Sequence, residues 1–453
     1  MVLGAQLTES DRVPVLALTR RHPLVDGELT LLGGHSSVTG VMTRIELGGR
    51  RVLVDCGLPQ GAEAFEWELD AAAADVDAVL LTQAHEDHVG GLPALIERGF
   101  SGPIYGTPAT LAVARVVLED SLGLQGFSPA EAVRLIGEIY KRTRPLGCDQ
   151  RESLGGELAF EYRQSGHLLG SASIELLSAK SRVICSGDLG RPESPLLPDY
   201  ATSWKSGRPV DLVLMECTYG DEDHPPGGAV FEQELERIML RALERCGHVL
   251  VPAFAIGPLQ GLLLHLDNLA RAGRIPALPI AIDNRVGAGV TRSYADFSRL
   301  FDRGSLDRIA RGDELLDLDD LYSAREHEHS QRLSIMPGPM LIVAGNSMCT
   351  GGRIVPHLRR LLPLEHTTLL LIGYQAEGTP GRAIQRAAAR GGRAWLDHEE
   401  VRVRAEVETL SGLAGHADRG ELARWLAAIP DVRQVALHHG EPKAQRSFAA
   451  WHA

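Results

Sequence analysis

From about Leu29 to Asp188 the chain alternates between short apolar or β-branched runs and longer stretches with apolar residues at i, i+3 and i+4. The runs VMTRIEL, RRVLVDCG, AVLLTQAH and RVICSGDLG are bounded by turn residues, as strands are. PATLAVARVVLEDSLGL (Pro108–Leu124) and PAEAVRLIGEIYKR (Pro129–Arg142) carry the period of amphipathic helices. Three strand runs lead into Asp-Cys-Gly, Gln-Ala-His and Gly-Asp-Leu-Gly, which places polar residues just beyond their C-terminal ends. In layered α/β folds that edge is where sites form.

A second α/β region begins near VDLVLMECTYG. It continues through a helix in VFEQELERIMLRALERCG, a strand in HVLVPAFAIG and a long helix in PLQGLLLHLDNLARAG, and LPIAIDN and PMLIVAGNSMCTGGR add strand-to-turn units. Arg303 to Gln331 is polar and acid-rich and reads as a surface helix or excursion. The pattern then changes again. EEVRVRAEVETLSG alternates apolar and charged residues with period two, as a half-exposed strand does, before a helix in RGELARWLAAI and a strand in VRQVALHHGE. No repeat of the solenoid kind is visible.

At 453 residues the chain is too long for one ordinary core and implies two or three domains. Its 44% hydrophobic and 23% charged content are those of a soluble globular protein. No apolar run approaches the roughly 18–20 residues that span a bilayer, and the N-terminus has no signal-peptide pattern. A cytoplasmic protein without a membrane partner is expected. The six cysteines form no C-x-x-C pair and read as buried free thiols. A formal net charge of −13 argues against broad polyanion affinity, so any nucleic-acid surface must be a local basic patch. KRTRP, HLRRLLP and RAIQRAAARGGR (Arg382–Arg393) are the candidates, each also readable as a solvated helix face.

The chemistry centres on LLTQAHEDHVGGLPAL, where His85, Asp87 and His88 supply three ligand-type side chains within four positions. Imidazole and carboxylate suit zinc, manganese or iron, and no thiolate set for a structural zinc is present. His85 should project from the end of a strand, with Asp87 and His88 at the start of the next helix. A solvated polar turn is the competing reading. His167 in GHLLGSASIEL, Asp188 in ICSGDLG and His439 in ALHHGE fall at the same kind of strand edge. Together they supply what a two-metal hydrolase needs, with ions about 3.5–4 Å apart and a carboxylate between them.

In order, the segments TQAHEDHVGG, GHLLGSA, SGDLG, ECTYGDEDH, PAFAIG, MCTGGR, AGHAD and HHGE resemble the metallo-β-lactamase superfamily and, within it, the β-CASP branch of nucleic-acid-processing nucleases. The resemblance runs from about Leu29 to Glu441. It implies an α/β fold, the metallo-β-lactamase αββα sandwich with an inserted β-CASP α/β domain. The corresponding division is 1–210 and 396–453 for the two parts of the sandwich and 211–395 for the insert.

Carried over position by position, the resemblance gives Asp55 the task of orienting a metal-bound histidine. It gives a first metal to His85, His167 and the position of Gln83, and a second to Asp87, His88 and His439, with Asp188 bridging. Asp87, Glu216 and His416 become the catalytic residues, His416 as general acid with Glu216 keeping it protonated. Arg353 in MCTGGR is a candidate for substrate binding. The implied cofactor is Zn²⁺, one or two per chain, with Mn²⁺ as the alternative. The implied partner is RNA or single-stranded nucleic acid in the interdomain cleft, and a homodimer is the arrangement common among relatives.

Several positions depart from the family pattern. Gln83 stands where relatives have a histidine, and a neutral amide is a weaker ligand than imidazole, so the first site should be weak or lost. Pro258 and Gly261 stand in place of an arginine and a glutamate, Pro356 in place of a histidine and Ala414 in place of a serine. The leading expectation is a metal-dependent hydrolase of RNA, or of single-stranded DNA, using a metal-bound hydroxide and His416. Two other readings stay open: a catalytically reduced or inactive paralogue serving as a nucleic-acid-binding or scaffold subunit, and a hydrolase of a small phosphodiester or ester.

Overall fold

The computed structural model describes residues 13–60, 67–204, 207–224, 228–316, 321–323, 327–373, 375 and 377–453. The chain forms two compact units. One takes the chain up to Pro192, Pro198–Asp223 and His416–Ala453, and the other takes Glu193–Leu197 and His224–Gly415, so the second is inserted into the sequence of the first.

In the first unit two seven-stranded sheets face each other. One runs in the order Val15–Leu16, Val435–His438, Leu212–Glu216, Arg182–Cys185, Ala172–Leu177, Leu158–Gln164 and Arg151–Gly155. The other follows chain order from Arg21–Leu24 through Gly27–Gly33, Met42–Leu47, Arg50–Val54, Ala78–Leu80 and Ile104–Gly106 to Thr143–Pro145. Period-two alternation decides what each face covers. Phe160, Tyr162, Ile174, Leu176 and Leu214 meet Leu29, Leu31, Ile45, Val52 and Leu80 in a shared core between the sheets. The opposite face of the first sheet, with Ile184, Val213, Met215 and Leu437, is covered by Leu422, Trp425 and Phe448. These come from the helices Arg419–Ala427 and Pro442–His452, the second of which the sequence pattern did not announce.

The helices Pro108–Leu124 and Pro129–Arg142 have the bounds their pattern predicts. Each starts with proline, whose missing N–H costs nothing there, preceded by a capping hydroxyl. Ser128 and Glu131 form a reciprocal capping box. Ser128→Ala should therefore lower stability by about 1 kcal/mol, read as a lower urea midpoint at unchanged slope. An unchanged midpoint would show that solvent serves those amides equally well.

The second unit is built on a six-stranded sheet ordered Leu321–Ser323, Ile280–Asp283, Leu341–Ala344, Val249–Pro252, Thr368–Leu371 and Glu406–Thr409. Every pairing in it is parallel. Ile342, Leu369, Leu371, Ile354 and Leu358 centre its core. Two expectations change here. The acid-rich stretch Arg303–Gln331 is not merely an excursion, because Leu321–Ser323 forms the edge strand and Ser330 is buried against Asp283. The alternating stretch EEVRVRAEVETLSG is two strands in two sheets. Glu399–Arg402 pairs with Arg393–Leu396 in a separate ribbon, while Glu406–Thr409 joins the parallel sheet. The amides of Arg404 and Ala405 both bond the carbonyl of Leu362, which turns the chain out of one ladder and into the other.

Candidate metal centre

The chain leaves the sheet at Leu80, earlier than the sequence suggests. The Thr82 amide and hydroxyl both donate to the Asp55 carboxylate, at 2.8 and 2.6 Å, which draws the backbone away from the ladder. His85 is consequently the N-cap of the short helix Glu86–Val89 and does not project from a strand, whereas Asp87 and His88 lie in the helix. The Asp55–Leu58 segment clamps this turn: Cys56 N–H donates to the carbonyl of His88 and Leu58 N–H to that of Glu86. Gly57 is required for the approach, since a Cβ there would sit 1.6 Å from the Asp87 carbonyl oxygen.

Around this turn the first unit assembles the other sequence-indicated residues. His85, His167 and Asp188 form one group, Asp87, His88 and His439 a second, and Asp188, His416 and His439 a third, with donor atoms within 4.8 Å of one another in each. Asp188 is common to two of them. Its Oδ1 lies 3.1 Å from His439 Nδ1, and its Oδ2 lies 3.2 Å from His88 Nε2 and 3.7 Å from His167 Nε2. Asp55 and His439 occupy left-handed backbone conformations, φ 58° and 45°, a strain that surrounding structure must hold in place.

The donors fit a cation. Asp55 accepts a 2.8 Å hydrogen bond from His88 Nδ1, which fixes the ring and leaves Nε2 turned to Asp188 and Asp87. His88 Nε2 and Asp188 Oδ1 are buried without a hydrogen-bond partner despite their close neighbours. Buried ligand-type atoms gathered this closely are what an ion between them would use. The charges agree. Burial would lower the pKa of His439, but Asp188 and Asp87 outweigh it and raise the pKa to about 10. Burial likewise opposes the charge on His88, yet Asp188, Asp55 and Asp87 raise its pKa well above the usual value. Without metal, protons on two imidazoles balance the carboxylates. At His85 burial outweighs the opposing pull of Asp87 and Asp188 and lowers the pKa to about 4, which leaves a neutral imidazole.

Gln83 is buried at this centre and donates its amide Nε2–H to Asp188 Oδ2. Its Oε1 has no hydrogen-bond partner. The donor end of the amide thus meets the carboxylate oxygen that also lies near His167.

Beside the cluster His416 packs against His167, ring centroids 4.4 Å apart with the planes tilted by 45°. Its Nδ1 meets both carboxylate oxygens of Glu216 at 3.1 and 3.2 Å. Glu216 is buried at the end of its strand and also accepts from the Leu189 amide at 2.8 Å. Burial would lower the pKa of His416; the Glu216 charge and hydrogen bond, helped by Asp188, raise it. Two contributors escaped the sequence reading. Thr82 bonds Asp55, and Thr218 donates to the His439 carbonyl at 3.0 Å with its hydroxyl 3.2 Å from His439 Nδ1. Their only local signal is a hydroxyl just past a strand end. Arg353 belongs to the other unit, where it pairs with the buried Asp283 at 2.6 Å. His357, next to Pro356, and Ser330 bond the same carboxylate.

A sandwich of two sheets carrying a buried histidine–aspartate cluster at its loop edge, interrupted in sequence by a parallel α/β unit, defines a metallo-hydrolase with an inserted domain. Family comparison reaches the same class. Residues 37–215 match the metallo-beta-lactamase superfamily, 259–384 the Beta-Casp domain and 400–452 the Zn-dependent metallo-hydrolase RNA specificity domain. Ribonuclease TTHA0252 of Thermus thermophilus is 37% identical over 414 residues, covering 90% of this chain and 92% of that protein. Transcription termination factor FttA is 26% identical over 435 residues in Methanosarcina mazei and 29% over 443 in Pyrococcus abyssi, each alignment covering 92% of this chain and 67% of the relative. A solved structure of a protein of unknown function from Enterococcus faecalis shares the fold, with a TM-score of 0.53 and 12% identity over 93% of this chain and 96% of that one.

The chain belongs to the β-CASP branch of the metallo-β-lactamase superfamily, and it is a hydrolase of that nucleic-acid-processing group. No helix among the described residues is long and apolar enough to cross a membrane.

Proposed function

We propose that the protein is a divalent-metal-dependent ribonuclease that cleaves phosphodiester bonds, with His416 as general acid. One observation carries this reading above the others: the Glu216–His416 pair stands intact against the histidine–aspartate cluster. A chain kept only as a scaffold has no use for an acid held protonated at that place. The names of the relatives support RNA as the substrate.

Zinc is the ion the donor set favours, since imidazoles and carboxylates converge without thiolates. Asp87, His88, His439 and Asp188 would hold it; bound there, it supplies Lewis acidity toward the phosphoryl oxygens and lowers the pKa of a water. The chain's own groups do the rest. Asp55 fixes the His88 ring and Thr218 steadies His439. Glu216 takes the Nδ1–H of His416, so the second ring nitrogen is the one that delivers a proton to the departing oxygen. The unpaired thiols suit a reducing compartment, which supports a cytoplasmic setting.

Gln83 makes this a centre with one strong ion position. Its amide already satisfies an oxygen of Asp188 and offers the metal only a neutral carbonyl. Gln83→His should raise bound metal, measured by atomic emission after dialysis, from about one to about two ions per chain. Equal metal content in the two proteins would refute the assignment of a weakened position.

The reading as a whole is tested by incubating the purified protein with end-labelled single-stranded RNA and added Zn²⁺ or Mn²⁺. Cleavage that chelator abolishes is expected. Intact RNA with metal demonstrably bound would remove the ribonuclease reading and favour a binding or scaffold role.

A further inference from the structure

The helix Pro380–Arg390 and the ribbon Arg393–Leu396/Glu399–Arg402 lie in the inserted unit. Along the helix, reaching the first ribbon residue, is a groove of roughly 370 Å³ lined by Thr379, Arg382, Arg386, Arg390, Gly392 and Arg393. Arg382, Arg386 and Arg390 follow one another at four-residue spacing, which sets them about 6 Å apart along one face of the helix. That step is close to the spacing of successive phosphates in an extended nucleic-acid strand.

Charge sets this row apart. On the helix Ala229–Glu244, Arg237 and Arg241 form a similar row, but Glu234, Glu406 and Glu408 neutralise it. In the groove, Arg382 and Arg386 share the single carboxylate of Glu377, and Arg393 meets Glu400. Arg390 has no ion pair among the described residues. Across the ribbon Arg393 stands directly opposite the exposed Arg402. Like charges at opposed positions repel, and an anion between them would relieve the repulsion. This excess of positive charge occurs on a chain whose formal net charge is −13.

The ribbon adds an aromatic platform. Ala394 and Leu396 point to the core, so Arg393 and Trp395 share the solvent face, and Trp395 is 65% exposed. A cationic track with an exposed indole two residues beyond Arg393, its ribbon end, is a combination that holds single strands: guanidinium groups follow the backbone while a base stacks on the ring. A protein interface would instead centre on apolar and aromatic residues with charge depleted.

We propose that this face is a binding subsite for single-stranded RNA, with Arg382, Arg386 and Arg390 on successive phosphates and Trp395 stacked on a base. The inference rests on the ribonuclease reading for its ligand, but it is read without catalysis. Fluorescence anisotropy of a labelled oligouridylate, in chelator so that no cleavage occurs, gives affinity and its salt dependence for the full chain. The double variant Arg386→Gln/Arg390→Gln should flatten the slope of log K against log salt by about 1.4, two phosphate contacts' worth. Trp395→Ala should weaken binding about tenfold, whereas Trp395→Phe, which keeps a stacking face, should stay within about twofold of the parent. Parent protein that binds while both the double variant and Trp395→Ala bind equally well, with unchanged slope, overturns the subsite and leaves the ribonuclease reading standing. Parent protein that binds no oligouridylate overturns the subsite, while the ribonuclease reading is decided separately by cleavage with metal bound. Variants that alter only the oligomeric state by light scattering make the face a protein interface and also overturn the proposal.

Discussion

Asp188→Asn should strip the protein of its tightly bound metal and lower RNA turnover on the order of a thousandfold or more. Asp188 is the residue on which the site converges. Its two oxygens lie 3.1 Å from His439, 3.2 Å from His88 and 3.7 Å from His167, and one accepts from Gln83. Asparagine keeps the size and one acceptor but removes the charge that balances a cation. It also turns an N–H toward imidazole nitrogens that would serve as ligands. The fold should survive, because among the described residues the Asp188 carboxylate meets Gln83, His88, His167 and His439, all at the centre itself. Metal analysis after dialysis, turnover and a thermal melt of the chelated protein check the three parts separately. A variant with parental metal content and parental turnover would show that Asp188 is a bystander.

His416→Ala is expected to do something different: leave bound metal unchanged while slowing RNA cleavage by about 10²–10⁴-fold. The imidazole is held by its hydrogen bond to Glu216, and Asp87, His88 and His439 form a donor group that does not include it, so its removal should leave those three ligands in place. The chemistry offers a sharper check than the rate alone. An alkoxide leaving group must be protonated as it departs, whereas p-nitrophenolate leaves without help. The variant should therefore lose far less activity on bis(p-nitrophenyl) phosphate than on RNA. Equal losses on both substrates, or loss of the metal, would make His416 a structural or ligating residue.

Much of the fold was legible in the chain. The helices Pro108–Leu124 and Pro129–Arg142 were readable to the residue because caps, prolines and periodicity are all local signals. The strands Met42–Leu47, Arg50–Val54 and Arg182–Cys185 lie within runs whose apolar character marked them. The stretch Glu399–Thr409 misled because its alternation is a property of two short strands as much as of one. Nothing within it says that the Leu362 carbonyl will capture two of its amides. Leu321–Ser323 was hidden for a related reason, since an edge strand in acid-rich surroundings needs its neighbour Ile280–Asp283 to define it.

The candidate site divides in the same way. His85, Asp87, His88, His167, Asp188 and His439 could be picked from the sequence because ligand-type residues at strand ends are a local pattern. That Gln83 would be a poor ligand followed from its chemistry. That its amide would donate to Asp188, 105 positions away, did not. Glu216 and His416 are 200 positions apart, and only the return of the chain to the sandwich after the insert makes them a pair. Thr82 and Thr218 carry no mark until Asp55 and His439 stand beside them. The row from Arg382 to Arg390 reads equally well as a solvated helix face until the structure shows it lining a groove with Arg393. By itself the sequence determined the types of groups, their local elements and the family. Distances, protonation and the pairing of donors with acceptors were decided only in three dimensions, because those depend on burial and on neighbours that local periodicity does not encode.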